Sequence, residues 1–228
     1  MLTVHHNENR GSGTYGWLNA RYSFSFASWH DPRHMGVSSL RVINEDIVRP
    51  QTGFSRHSHD NMEILTYVLE GEVSHEDSMG NKTTISAGEC QLMSAGSGIS
   101  HSEMNRHPTQ SLHLLQIWLY PNVNDTKPRY QQIMLPTGEG LTLIASPEEH
   151  EGSMHIKQDA AIFRIKLNTG QTQALPIARN KGYLHLIRGQ GQVENRLLTT
   201  GDALISHDEH TLTLTALTAV EALWFDLA

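Results

Sequence analysis

Residues 57–71 read His57-Ser58-His59-Asp60-Asn61-Met62-Glu63-Ile64-Leu65-Thr66-Tyr67-Val68-Leu69-Glu70-Gly71. The β-rich apolar run at 64–69 ends in a Glu-Gly turn, and residues 72–77 lead to a second turn at 78–82. Short strands separated by turns at this spacing predict a barrel or a sandwich. Because helical periodicity is nowhere sustained beyond a few turns, we expect an all-β fold.

Two short pairs of side chains carry the chemistry of this region, namely His57 with His59 and His101 with Glu103. Side chains two apart on a strand share a face, so two adjacent strands can direct all four groups at one point. Three imidazoles and one carboxylate suit a divalent cation such as iron, nickel, copper, manganese, cobalt or zinc. An octahedral ion held in this way keeps two positions for water, substrate or dioxygen, which predicts a reactive metal centre.

The spacing of the residues alone does not decide which glutamate is the acidic ligand. Glu63 lies four residues after His59 and would share its face on a regular strand, whereas Glu103 pairs directly with His101. Glu63 is also a candidate for orienting a ligand or a bound water. By contrast, His75, His107 and His113 are predicted to be surface or strand-edge residues.

These motifs resemble the cupin superfamily and, within it, the pirin family. The first cupin motif is matched by Gly53, His57, His59, Glu63 and Gly71, and the second by Gly88, residues 94–96, His101 and Asn105. Residues 53–59, 75–80 and 94–103 are similar to pirin in particular, as are residues 23–29 and 40–44. The usual proline of the second motif is Ser94 here, and this departure removes no donor atom.

The resemblance implies His57, His59, His101 and Glu103 as ligands of one divalent metal cation, most simply iron, with Glu63 in reserve. It implies a quercetin 2,3-dioxygenase, which opens the heterocycle of a flavonol with dioxygen and releases carbon monoxide. Glu103, or alternatively Glu63, would accept the proton of the substrate's 3-hydroxyl group. The barrel must then offer an apolar slot for a flat aromatic molecule, for which Phe54, Met93 and Trp118 are the candidate walls.

The same resemblance implies a second class of function, a metal-containing regulatory protein that binds a protein partner without turnover. A metal-dependent isomerase or decarboxylase on the same scaffold is a third, because a fold does not dictate a reaction. The sequence leaves the native metal, the physiological substrate and the oligomeric state open.

The second half of the chain repeats the first half in weaker form. Residues 183–193 resemble residues 65–73, and residues 200–206 resemble residues 87–93. No H-x-H pair precedes the second copy, and His207 and His210, three apart, would point to different faces of a strand. We therefore predict a bicupin of two antiparallel jelly-roll barrels, with the metal site in the N-terminal barrel only.

The boundary between the two barrels is predicted from breaker residues. Residues 121–140 are rich in proline, glycine and asparagine, with a helical turn expected at 129–135. The sequence thus predicts an N-terminal cupin domain at 1–135, with the metal site, and a degenerate C-terminal cupin domain at 136–228.

Composition limits the partners of the protein. The net charge of the 228 residues is −7, from 17 Lys and Arg against 24 Asp and Glu, which disfavours direct binding to nucleic acid or anionic lipid. The chain has one cysteine, Cys90, and its first ten residues lack the apolar core of a signal peptide. No apolar run approaches the length that spans a bilayer, so we expect a cytoplasmic protein.

Overall fold

The computed structural model describes residues 1–148 and 150–228, and the described chain forms two compact units. The N-terminal unit comprises Gly11–Leu135 with Ile156–Gln158, and the C-terminal unit comprises Met1–Arg10, Pro136–His155 and Asp159–Ala228. Regular structure in the described residues is all strand except for one 3-10 turn at Asn7–Asn9. The predicted all-β class and two cupin domains are confirmed.

The strands of the N-terminal unit are β2 (Gly11–Thr14), β3 (Leu18–Tyr22), β4 (Leu40–Val48), β5 (Thr52–His59), β6 (Glu63–Glu70), β7 (Glu72–Asp77), β8 (Lys82–Ser86), β9 (Glu89–Ser94), β10 (Ile99–Asn105), β11 (Leu112–Leu119) and β12 (Arg129–Met134). A seven-stranded sheet has the order β12-β9-β6-β11-β4-β3-β2, and a four-stranded sheet has the order β5-β10-β7-β8. Strand β12 occupies most of the segment for which a helical turn was predicted, so that prediction was wrong.

The two sheets of the N-terminal unit enclose a shared interior. Val73 and Ile85 from the four-stranded sheet pack with Val48, Val68 and Leu114 from the seven-stranded sheet. Each of these side chains is at most 1% exposed. Burial of this apolar surface stabilises the barrel.

The strands of the C-terminal unit are β1 (Leu2–His5), β13 (Gly140–Ser146), β14 (Met154–His155), β15 (Ala160–Leu167), β16 (Thr172–Leu175), β17 (Lys181–Arg188), β18 (Gln190–Val193), β19 (Arg196–Thr199), β20 (Ala203–His207), β21 (Leu212–Ala216) and β22 (Val220–Leu227). Its sheets have the orders β1-β20-β17-β22-β15-β13-β14 and β16-β21-β18-β19.

The first strand of the chain belongs to the C-terminal unit. Leu2 pairs with Ser206 and His5 with Ala203 in an antiparallel ladder between β1 and β20. The backbone N–H of Asn7 donates to Asp202 Oδ1 at 2.7 Å, which fastens the residues that follow β1. The sequence boundary at 135 assigned these residues to the N-terminal domain, because strand pairing over such a separation leaves no local signal.

The internal repeat is visible at equivalent turns. Gly71 joins β6 to β7 with φ +80°, and Gly189 joins β17 to β18 with φ +93°. Both values lie in the left-handed region that favours glycine. The interior of the C-terminal barrel is hydrocarbon, with Leu186, Leu204 and Leu214 among its fully buried members.

Within the described part of the chain, no helix has the length and apolar character required to cross a membrane.

Candidate metal centre

Adjacent strands bring three histidines together in the N-terminal unit. Strands β5 and β10 pair antiparallel, and their register sets His101 directly opposite His57. The Nε2 atoms of these two residues are 3.1 Å apart. His59, two residues along β5, faces the same way, and the potential ligand atoms of all three histidines lie within 4.8 Å of one another.

A β-bulge separates His101 from Glu103. Glu103 pairs with Phe54 rather than with the residue that regular pairing to His57 would give, so β5 contains an extra residue at this point. A bulge bends the strand and redirects side chains, and bulges are common beside functional sites. Glu103 is therefore displaced along the barrel interior relative to the three histidines.

The protonation of the histidines suits cation binding. The Ser55 carbonyl can only accept, so the 2.8 Å contact with His57 Nδ1 assigns a ring proton to Nδ1 and turns Nε2 towards the other histidines. Burial and the neighbouring His57 lower the pKa of His59 to about 4. Burial, His57 and then His59 lower the pKa of His101 to about 3. His59 and His101 are therefore neutral near pH 7, as metal ligands must be.

The geometry fits a transition-metal ion. Two nitrogen ligands at about 2.1 Å from a common ion and at right angles are separated by roughly 3.0 Å, close to the distance between His57 Nε2 and His101 Nε2. Two neutral imidazoles that turn ring nitrogens towards each other share at most one hydrogen, whereas a cation satisfies both lone pairs. The donor set of His57, His59 and His101 therefore fits a borderline divalent cation.

Glu103 is held by hydrogen-bond donors from the facing sheet. Its Oε1 accepts from Gln91 Nε2 at 2.8 Å and from Thr66 Oγ1 at 3.1 Å, and its Oε2 accepts from Gln116 Nε2 at 2.6 Å. These donors lie on β9, β6 and β11 of the seven-stranded sheet. The carboxylate is thus fixed beside His101 by neutral groups.

Burial dominates the electrostatics of Glu103. The residue is 4% exposed, and this burial raises the pKa of its carboxyl group to about 7. The three hydrogen bonds act in the opposite direction and lower the pKa, but the effect of burial is larger. Near neutral pH the group can therefore both hold and release a proton.

Glu63 lies on the other face of its strand. Thr66 points into the barrel interior, so the alternation of a β-strand directs Ile64 inwards and Glu63 outwards. The Glu63 carboxylate accepts from Ser94 Oγ at 2.9 Å and from the Lys157 backbone N–H at 3.2 Å. Burial raises its pKa. Spacing had suggested that Glu63 shares the face of His59, but the turn between β5 and β6 resets the alternation.

His75 is a member of the site that sequence reasoning missed. It was predicted to be a surface or strand-edge residue, and this was wrong. Its side chain is 0% exposed on β7, which lies between β10 and β8, and its ring lies 5.3 Å from that of His101. His75 Nε2 contacts Asp77 Oδ2 at 3.1 Å, and burial lowers the pKa of the ring. The available signal was the i, i+2 pair of His75 and Asp77, which has the same spacing as the two pairs above.

The donor atoms form two overlapping groups. In the first, His57 and His59 join His101, and in the second, His75 and Glu103 join His101, with the ligand atoms of each group within 4.8 Å of one another. In the residues that the structure describes, both groups belong to the N-terminal unit, and the C-terminal unit has none.

A cavity of about 480 Å³ opens onto these donors, within the range of small-molecule sites. Its walls include His57, His59, His101 and Glu103. Phe54 and Trp118 line it as predicted, and Trp118 packs edge-on to His59 with ring centroids 5.0 Å apart. Met93, the third predicted wall, packs instead in a buried cluster with Ile64 and Ile99.

Two family models match the chain in succession. The model described as Pirin matches residues 4–119, and the model described as Quercetinase C-terminal cupin domain matches residues 143–227.

Relatives match over nearly the full length. A quercetin 2,3-dioxygenase of Escherichia coli strain K12 is 41% identical, with all of this chain and 99% of the relative covered. A pirin-like protein of Caulobacter vibrioides is 36% identical, with 96% of each covered. A crystal structure of a bacterial pirin from Escherichia coli in complex with nickel(II) is 41% identical, with 100% and 99% covered and a TM-score of 0.96.

Proposed function

The chain belongs to the pirin family, and on that premise we propose that it is a metal-dependent quercetin 2,3-dioxygenase, which opens the flavonol heterocycle with dioxygen and releases carbon monoxide. One observation carries the proposal: three converging histidines and a buried carboxyl group face a cavity that five aromatic side chains help to line. The name of the Escherichia coli relative supports the choice of substrate class.

We propose His57, His59, His101 and Glu103 as the residues that hold one divalent cation. Iron is our first expectation, and the nickel(II) complex of the related bacterial pirin makes nickel the first alternative, ahead of copper, manganese, cobalt and zinc. When bound, such an ion supplies Lewis acidity and open positions for a substrate oxygen and dioxygen. Glu63 is left out of this set because its carboxylate accepts from Ser94 and Lys157 on the other face of β6.

Glu103 is the proposed base. In its ionised form the Glu103 carboxylate can accept the proton of the flavonol 3-hydroxyl group. The donors from Gln91 and Gln116 fix the carboxylate while it does so. Trp118 and Phe54 orient the flat substrate and exclude water from the reacting groups.

The test is an aerobic assay with quercetin on protein whose metal content has been measured by elemental analysis. We expect oxygen consumption and carbon monoxide release in equal amounts, both lost on chelation and restored by the metal. Glu103→Gln removes the proposed base and one proposed ligand, and it turns an amide NH2 group towards one of the present donors. We expect it to lose turnover by roughly 100-fold or more. The Glu63→Gln variant is the matched control.

Absence of turnover in fully loaded protein would overturn this proposal. It would favour the second predicted class, a metal-containing regulatory protein with a protein partner. Location in the cytoplasm, expected from the sequence, stays a prediction.

A further inference from the structure

A second polar pair lies in the cavity on a different sheet from the metal-binding groups. Asn44 and Asp46 are two residues apart on β4, so their side chains share a face, and both line the cavity. They are 4% and 3% exposed. Strand β4 belongs to the seven-stranded sheet, whereas the three histidines and Glu103 lie on β5 and β10 of the four-stranded sheet.

The side-chain oxygen of Asn44 is buried and lacks a hydrogen-bond partner in the described structure. Its two cross-strand neighbours are Gln116 on β11 and Tyr22 on β3. Gln116 donates its amide to Glu103, and the Tyr22 hydroxyl donates to the Tyr15 hydroxyl at 3.4 Å. An unsatisfied buried acceptor is destabilising in the absence of a ligand and is a recognised mark of functional sites.

Aromatic side chains form further walls of the same cavity. Trp17 packs edge-on to Phe54 with ring centroids 5.1 Å apart, and Phe26 packs edge-on to Trp118 at 5.6 Å. All four residues line the cavity. The space therefore suits a flat aromatic molecule that meets polar protein groups in more than one place.

We propose that Asn44 and Asp46 form a hydroxyl-binding subsite, which selects flat aromatic substrates with a phenolic hydroxyl group remote from their metal-binding oxygens. The inference rests on the proposed function and specifies its substrate class. The amide oxygen and the carboxylate accept hydrogen bonds, so the matching part of the ligand must donate them. A site built to bind a hydroxyl group discriminates strongly against an analogue that lacks it.

The test compares two ligands on the metal-loaded protein. Quercetin has several phenolic hydroxyls, whereas 3-hydroxyflavone keeps the 3-hydroxyl and 4-carbonyl groups and lacks the rest. Binding is followed in the absence of dioxygen through quenching of the protein's tryptophan fluorescence, to which Trp17 and Trp118 in the cavity contribute. We expect the wild-type protein to bind quercetin at least about tenfold more tightly than 3-hydroxyflavone.

Two variants test whether the side chains of Asn44 and Asp46 cause the preference for quercetin. Asn44→Leu and Asp46→Leu each replace a hydrogen-bond acceptor by a branched hydrocarbon side chain. Each is expected to reduce the quercetin preference to about threefold or less, with metal content unchanged. Phe54→Leu is the matched control elsewhere in the cavity, and it should weaken the binding of both ligands to a similar extent.

The outcomes separate the two proposals. Equal binding of both ligands by the wild-type protein, or an undiminished quercetin preference in both β4 variants, would overturn the hydroxyl subsite and leave the dioxygenase intact. If neither flavonol binds to metal-loaded protein, the dioxygenase proposal fails, and the subsite fails with it.

Discussion

Gln116 donates a hydrogen bond of 2.6 Å from Nε2 to Oε2 of Glu103, and this bond joins the two sheets of the N-terminal barrel. Gln116 is 7% exposed and Glu103 is 4% exposed, so solvent does not replace the contact. The seven-stranded sheet thus sets the position of a carboxyl group that the four-stranded sheet carries.

Substitution of Gln116 by leucine should weaken metal binding without removing a proposed ligand. Glu103 Oε2 loses its donor while burial persists, so the protonated form is favoured and the carboxylate is less well oriented. We expect metal affinity to fall by roughly 10- to 100-fold. Competition with a chromophoric chelator measures the metal affinity. The Gln116→Glu variant supplies no amide donor and should also bind the metal more weakly. Unchanged affinity in both would show that the contact is dispensable.

Removal of a proposed histidine ligand should remove the ion. We expect His57→Ala and His101→Ala each to lose most of the bound metal and all turnover, because each takes one nitrogen from the cluster. His101 is 1% exposed, so its variant should also lose roughly 1–3 kcal/mol of stability. Elemental analysis and chemical denaturation measure the two effects, with the exposed His30→Ala as control. Full metal content in either variant would refute the ligand assignment.

Glu63→Gln should preserve metal content and change stability in a pH-dependent way. The raised pKa means that folded protein binds a proton more tightly than unfolded protein. The contribution of Glu63 to stability is therefore fully present below pH 4.5 and declines as the pH rises above that value. Glutamine keeps an acceptor for Ser94 and Lys157 and does not ionise. The stability of the variant should therefore increase relative to that of the wild-type protein as the pH rises.

Urea denaturation of both proteins across this pH range measures the difference. A constant difference between wild type and variant at all pH values would contradict the role assigned to burial. Loss of metal from the variant would return Glu63 to the set of ligand candidates.

Asp202→Ala should loosen the first residues of the C-terminal unit. Asp202 accepts hydrogen bonds from the Asn7 backbone N–H at 2.7 Å and from the Thr199 backbone N–H at 2.8 Å. It is 5% exposed, and its loss removes a charged acceptor from both donors, which should cost roughly 1–3 kcal/mol. Hydrogen exchange should show faster exchange at residues 2–7, and the exposed Glu151→Ala serves as control. Unaltered protection there would show that the β1–β20 ladder alone holds the segment.

Local patterns in the sequence predicted much of the fold and part of the site. The i, i+2 spacing of the His57 and His101 pairs, the glycine turns and the internal repeat each depend on neighbours along the chain. The structure brings the three predicted histidines together, and it places Glu103 beside His101.

Features that depend on long-range register were not predicted. Glu103 accepts hydrogen bonds from Thr66, Gln91 and Gln116 only because two sheets face each other across the barrel. The burial of His75 depends likewise on the pairing of β7 with β10, which sets His75 opposite Glu103. The i, i+2 pair of His75 and Asp77 predicts a shared face, but only the strand partners decide whether that face is interior.

The pairing of β1 with β20 also bears on the order in which the protein can assemble. Leu2–His5 leaves the ribosome roughly 200 residues before Ala203–His207, a delay of about 10 to 40 s at ordinary rates of translation. Until then β1 lacks its partner β20. The N-terminal barrel, whose strands lie between the two, can close during this interval, so the β1–β20 ladder is among the last to form.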